Sequence, residues 1–261
     1  MAFRLSPGDP APVSLCRPDG RAPVLITCDH ASKAVPEALG GLGLGPDELG
    51  RHIGWDIGAG AVTRLLAARL DAPAILAGFS RLVIDCNRDL DDPTSIPEVS
   101  DGVAVPGNRA LAPAERAARR AAIFAPYHAA IEDWIETRLA RGTVPVVLSV
   151  HSFTPVMDGK ARPWHVGVLW DRDPRIPVPL LAALRADERL VVGDNEPYSA
   201  REPAGYTVRT HAENRGLPHM AVEIRQDLIA DAAGTTQWAE RLARVLTPIL
   251  EDPALYHEKH Y

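Results

Sequence analysis

Two stretches of the chain carry nearly the same pattern. Pro23-Val24-Leu25-Ile26-Thr27-Cys28-Asp29-His30 and Pro145-Val146-Val147-Leu148-Ser149-Val150-His151 are each short, apolar and rich in β-branched residues, and each ends abruptly in a histidine. An apolar run of this length predicts a strand buried on both faces, as in a parallel sheet. Ligands of open α/β sheets bind outside the carboxyl ends of the strands. The pattern therefore places His30 and His151 on one rim of the sheet.

The rest of the chain alternates between the two periods. Val62, Leu65, Leu66 and Leu70 recur at helical spacing and predict a helix; Ala74–Leu76 predicts a short strand. Ser80–Asp89 reads as a strand with charged residues at both ends, and residues 90–108, with several Pro, Asp and Gly, as a long loop of the kind that serves as a lid or binding loop. A long helix starts near Pro113 and carries Phe124, Tyr127, Ile131, Trp134 and Ile135 on one face. Pro126 should kink it and Gly142 end it. Further strands are expected at Trp164–Trp170 and His219–Arg225, and helices near Val178–Ala186, Val208–Asn214 and Thr236–Leu250. The Pro- and Gly-rich segment Met1–Gly20 is expected along the surface. Alternation of this kind implies an α/β sandwich with a mostly parallel sheet, a single domain over residues 1–261.

Composition narrows the function classes. The 261 residues are 46% hydrophobic and 24% charged, as in ordinary globular proteins. A net charge of -6 gives no reason to expect nucleic acid or an anionic membrane surface as partner. No apolar run approaches a membrane span, and the N-terminus lacks the apolar core of a signal peptide. Cys16, Cys28 and Cys86 are too scattered for a disulfide framework or a Cx2C zinc site. These features fit a cytoplasmic protein; they say nothing of oligomeric state. No GxSxG elbow, P-loop or HExxH is present, and the glycines of residues 40–45 lack the GxGxxG spacing.

What remains is histidines and carboxylates at strand ends, and a compact basic cluster. Neutral imidazole is a common zinc ligand, and a catalytic zinc site takes three protein ligands. His30 and His151 are candidates; alternatively each is a hydrogen-bonded core or rim side chain. Asp56, in Gly54-Trp55-Asp56-Ile57-Gly58, is the candidate third ligand, or else a helix N-cap. Asp29 is the weaker choice, because neighbours on a strand point to opposite faces. Arg81, Asp85, Asn87 and Arg88 either grip an acidic substrate or pair among themselves, for instance Asp85 with an arginine. Glu223, inside an otherwise apolar strand, either pairs with Arg225 or acts as a general base. Tyr198, Arg209 and His211 lie in flanking polar segments, as pocket-lining candidates or structural residues.

With these residues laid out, the chain resembles the N-formylglutamate amidohydrolase family, through CDHAS, RHIGWDIGA, SRLVIDCNRD, SVHSFTP, DNEPYS and AVEIRQDL in that order. That family in turn is similar to the zinc carboxypeptidase and acyl-amino-acid deacylase superfamily. The resemblance implies a three-layer sandwich of the phosphorylase/hydrolase-like kind, with a mixed sheet, helices on both faces and one Zn²⁺ per chain. It implies His30 and His151 as metal ligands, Asn87 and Arg88 as the pair on a substrate carboxylate, Arg81 as a carbonyl-polarising cation and Glu223 as general base. The wider superfamily has a metal-binding glutamate three residues after the first histidine; here that position is Lys33, so the third ligand comes from elsewhere.

The implied activity is zinc-dependent hydrolysis of N-formyl-L-glutamate, a small acidic N-acyl amino acid, to formate and L-glutamate. Two other readings stand beside it. One is a related enzyme for a longer acyl group or a peptide bond, which a pocket lined by Phe153, Trp164 or Tyr198 would favour. The other is a non-catalytic binder of acidic ligands in which Lys33 takes the metal's place.

Overall fold

Side chains alternate sides along the central strands, and that alternation builds two cores, one on each face of a single sheet. The structure is a computed structural model describing residues 3–201 and 205–261. The chain runs through β1 (Val13–Cys16), β2 (Val24–Cys28), α1 (Pro46–Gly50), α2 (Ala59–Leu70) and β3 (Ala74–Ala77). A small hairpin, β4 (Val99–Ser100) and β5 (Val103–Ala104), precedes α3 (Pro113–Arg119) and α4 (Ala125–Leu139). Then come β6 (Val146–Phe153), a second hairpin of β7 (Val156–Met157) and β8 (Lys160–Ala161), β9 (Val166–Leu169), α5 (Pro177–Arg185) and β10 (Val192–Asp194). The chain ends with α6 (Thr207–His211), β11 (His219–Arg225) and α7 (Ala232–Leu250).

The seven-stranded sheet has the order β1-β3-β2-β6-β11-β9-β10. Strands β3, β2, β6 and β11 are mutually parallel. Antiparallel β1 closes one edge, and β9, antiparallel to β11, carries β10 parallel at the other. Val24, Ile26, Val146, Leu148, Met220 and Val222 pack on one face against α2, α5 and α7. Leu25, Ile75 and Val147 pack on the other against Ile123, Tyr127, Ile131 and Ile135. Completely buried side chains such as Leu66 and Leu242 each contribute about 1.5–3 kcal/mol. The fold is the mixed, mostly parallel α/β sandwich with helices on both faces. No helix among the described residues is long and apolar enough to cross a membrane.

Toward the carboxyl ends of the strands the second face turns polar. Thr27 is in register with Ser149, Ala221 with Ser149, and Glu223 with His151. The alternation that buries Val150 and Val222 on one side therefore delivers His151 and Glu223 together on the other.

Three expectations change. Ser80–Asp89 is not a strand but a series of tight turns. Its apolar Leu82, Val83 and Ile84 are buried in the second core, while side chains replace a ladder partner. Asn108 Nδ2 donates to Leu82 O at 2.8 Å, and buried Arg119 donates to Val83 O at 3.1 Å. Residues 13–16, within the segment expected only to lie along the surface, form edge strand β1, hidden from pattern reading because Leu15 is exposed. Pro126 lies in the first turn of α4, where the missing N–H is tolerated, and a π-helical turn at Arg120–Phe124 joins it to α3.

Candidate active site

His30 follows β2 directly, His151 lies within β6, and Asp56 precedes α2. The backbone N–H of Asp56 donates to His30 O at 2.9 Å, fixing the two segments together. Gly58 lets the chain turn into α2: its φ is +80°, and a Cβ there would lie 2.2 Å from Ile229 O. Asp56 does not cap that helix, whose N-terminal position is Gly58 without a side-chain bond. Its carboxylate instead faces the histidines. Asp56 Oδ2 lies 2.9 Å from His151 Nδ1 and 3.3 Å from His30 Nδ1, and accepts from Ser152 N at 3.3 Å. Arg81 Nη2 contacts both Asp56 Oδ1 and His30 Nδ1. One ligand atom from each of His30, Asp56 and His151, all buried, falls within 4.8 Å of the others.

The opposite nitrogens of both rings rest on further carboxylates. His30 Nε2 is 2.7 Å from Asp85 Oδ1, and His151 Nε2 is 3.0 Å from Asp29 Oδ2. Asp29 is in turn held by the Tyr127 and Thr207 hydroxyls, each at 2.7 Å. Carboxylates in this position orient metal-binding imidazoles and raise their basicity. With both Nδ1 atoms turned to one carboxylate and both Nε2 atoms held from behind, the donor set fits a divalent cation such as Zn²⁺. Asp85 therefore serves His30, with the Arg81 charge also acting on it, and Asp29 backs His151.

Glu223 completes the group. It is 7% exposed, and its Oε2 has no hydrogen-bond partner among the described residues. Burial pushes its carboxyl up to about 7; the Asp56 charge adds to this, while His151 and Arg81 pull the other way. Asp56 behaves oppositely: burial pushes it up, but Arg81 and the two histidines outweigh that and hold it well below the usual range. Asp85 is likewise brought down to about 2, burial being overcome by the charge and hydrogen bond of His30. The site thus pairs carboxylates held ionised with one held near neutrality, the arrangement acid–base catalysis uses. Arg225 does not pair with Glu223; its guanidinium turns to Asp227 at 2.8 Å. His30, Asp56, Arg81, Asp85, His151 and Glu223 line a cavity of about 1170 Å³, with Asn87, Arg88 and Tyr198 also on its wall.

Residues 22–230 match the N-formylglutamate amidohydrolase family. The chain belongs to that family. A solved structure of a gene product from Agrobacterium tumefaciens is 37% identical, with a TM-score of 0.91 over 94% of this chain and 97% of that one. An N-formylglutamate amidohydrolase from Ralstonia eutropha JMP134 shares the fold at 22% identity, with a TM-score of 0.64 over 92% of this chain and 97% of that one. No curated protein matches the sequence. Family membership makes amide hydrolysis the class of reaction to be read from the site.

Within this amidohydrolase fold, the other candidates divide. Arg88 is half-buried on the cavity wall. Asn87 also lines it, with Oδ1 accepting from Tyr206 N at 2.8 Å and Thr207 N at 3.0 Å, so the amide oxygen anchors the start of α6. Tyr198 lines the cavity with its hydroxyl accepting from Arg162 at 3.0 Å. His211 does not reach the cavity: it is buried against His128, Nε2 to Nδ1 at 2.9 Å. Neither Phe153 nor Trp164 lines the wall, whereas Arg209 does. Lys33 is exposed, its ammonium 5.8 Å from the Trp55 ring centroid, and the cation against Asp56 is Arg81. Sequence reading missed Asp85 and Asp29 as the groups behind the imidazoles. Asp29 had a signal, since the Leu25-Thr27-Asp29 face matches the Ser149-His151 face; Asp85 had none.

Proposed function

We propose that this chain is a metal-dependent amidohydrolase that removes the acyl group from a small acidic N-acyl amino acid, N-formyl-L-glutamate giving formate and L-glutamate. The observation that carries the reading is Glu223 Oε2, buried without a partner among the described residues, on the strand beside His151, its carboxyl pushed up to about 7. A carboxyl poised at about 7 both accepts and returns a proton at physiological pH.

His30, Asp56 and His151 would hold one Zn²⁺, which when bound supplies Lewis acidity toward the scissile carbonyl and toward water. Asp29 and Asp85 hold the two imidazoles by their Nε2 atoms, which would leave the Nδ1 atoms as the metal donors. Glu223 takes the proton from the water that adds to the carbonyl carbon. It then passes that proton to the nitrogen as the C–N bond breaks, so the amine leaves neutral and the acyl group leaves as the acid. Arg81, ionised beside Asp56, opposes the negative charge that grows on the carbonyl oxygen. Arg88 binds a carboxylate of the amino acid through its planar fork, and Asn87 holds α6 against that segment.

Release of free amine tests the reading. N-formyl-glutamate, N-formyl-aspartate, N-acetyl-glutamate and a neutral N-formyl amino acid are supplied to zinc-loaded and to chelated protein. Turnover of the acidic formyl substrates that disappears on chelation and returns with zinc is the expected result. No turnover by protein shown to hold stoichiometric zinc would overturn it.

A further inference from the structure

The cavity is larger than its proposed small substrate needs. Pockets of about 300–1,000 Å³ accommodate drug-sized ligands, whereas N-formylglutamate has only about a dozen heavy atoms. A cavity of about 1170 Å³ leaves most of its volume beyond the His30-Asp56-His151 centre. The wall of that volume is mixed, and it carries a set of exposed apolar side chains. Val99 on β4 and Val156 and Met157 on β7 are 61%, 52% and 42% exposed, and all line this cavity. The other exposed large apolar side chains among the described residues, Leu15, Val178, Val191 and Tyr261, lie off it. Exposed apolar side chains scattered singly need no explanation, but their gathering on one cavity marks a binding surface.

Both hairpins are fastened. Arg162, following β8, lays its guanidinium 4.8 Å from the Tyr198 ring centroid, donates to Tyr198 Oη at 3.0 Å and contacts Met157 Sδ. Arg51 pairs at 2.7 Å with Asp101, in the turn of the β4–β5 hairpin. The indole of Trp170 adds a half-buried aromatic surface to the same wall. We infer that the hairpin rim is a second subsite, for an apolar extension of the substrate of several carbons, carried either on the acyl group or on the amino-acid side chain. The inference rests on the proposed amide hydrolysis and deepens it. The bond cleaved is the same; the rim selects what hangs from it.

Two homologous series test this in the zinc-loaded protein. N-acetyl-, N-butanoyl- and N-hexanoyl-glutamate extend the acyl side; N-formyl-alanine, -norvaline and -phenylalanine extend the amine side. In one series kcat/KM should climb by roughly fourfold per methylene that reaches the rim, and the series that climbs names the source of the extension. Val156→Asp and Met157→Asp, at exposed positions, should cut the longest member at least tenfold while sparing N-acetyl-glutamate and N-formyl-alanine. A flat profile in both series, or an equal loss for short and long members, would overturn the subsite. Calorimetric binding of N-hexanoyl- against N-acetyl-glutamate, and of N-formyl-phenylalanine against N-formyl-alanine, reads the rim independently of turnover. Tighter binding of the longer ligand in one pair, with neither series nor N-formylglutamate hydrolysed, would sink the amidohydrolase reading and keep the subsite; equal binding in both pairs would sink the subsite.

Discussion

Glu223 and His151 stand directly opposite each other on the adjacent parallel strands β11 and β6, their side chains on the same face of the sheet. One is an imidazole fixed between the carboxylates of Asp29 and Asp56; the other is a buried carboxyl with an oxygen that nothing in the described structure satisfies. Strand register thus sets the proposed proton carrier beside the proposed metal-binding ring.

The carboxylates behind the rings should govern metal affinity. Asp29→Asn and Asp85→Asn each remove the charge that orients one imidazole. Zinc affinity, measured by competition with a chromophoric chelator, should fall about 10–100-fold for each. Unchanged affinity in both variants would exclude an orienting role.

Activity should depend on pH through Glu223. The group works as a base only when deprotonated, so kcat/KM for N-formylglutamate should rise with pH and level off above about 7. The positive charge of a bound zinc ion stabilises the carboxylate and so moves this limb only downward. A pH–rate profile with no acid limb between pH 5 and 7.5 would speak against Glu223 as the base.

Arg88→Ala should raise KM for N-formylglutamate about tenfold or more, the cost of one charge-assisted contact. An analogue with its carboxylates replaced by amides should lose far less. Equal losses on the two would remove Arg88 from carboxylate binding.

Stability should carry a signature of His128, buried among Phe124, Tyr127, Tyr206 and His211 with Nε2 on Cys86 O. Burial, and then the neighbouring His211, bring its pKa down to about 4 from the ordinary 6.5. Between those values the unfolded chain binds the proton and the folded one does not. Stability is therefore fully present above about pH 6.5 and is lost as pH falls toward about 4, by ~3 kcal/mol. Urea unfolding at pH 7 and pH 4.5 checks this, and His128→Gln should shrink the difference.

Much of this was legible in the sequence because strand and helix periods are local. The runs ending at His30 and His151, the apolar stripe of α2 and the isolated Glu223 of β11 all declare themselves within a few residues. Asp85 does not: its segment has a strand's composition, and bonds to distant segments, among them Asn108 to Leu82 O, Arg119 to Val83 O and Asp85 N to Ser95 O, hold it in turns from which its carboxylate reaches His30. Asp56 reads locally as a helix cap, and only Gly58 taking that position frees its carboxylate for the histidines. His211 has the chemistry of a site residue, yet α6 turns it toward α4 and His128. Side chains committed across distant segments are set by packing, which spacing does not encode.

Glu223→Gln offers the most direct test of the whole arrangement. The substitution keeps the side chain's shape and removes only its capacity to carry the proton. Single-turnover release of glutamate from N-formylglutamate should fall at least about 100-fold, with stoichiometric zinc still bound and the fold intact. Release at the unsubstituted rate, by protein holding its zinc, would contradict the proposed mechanism at its centre.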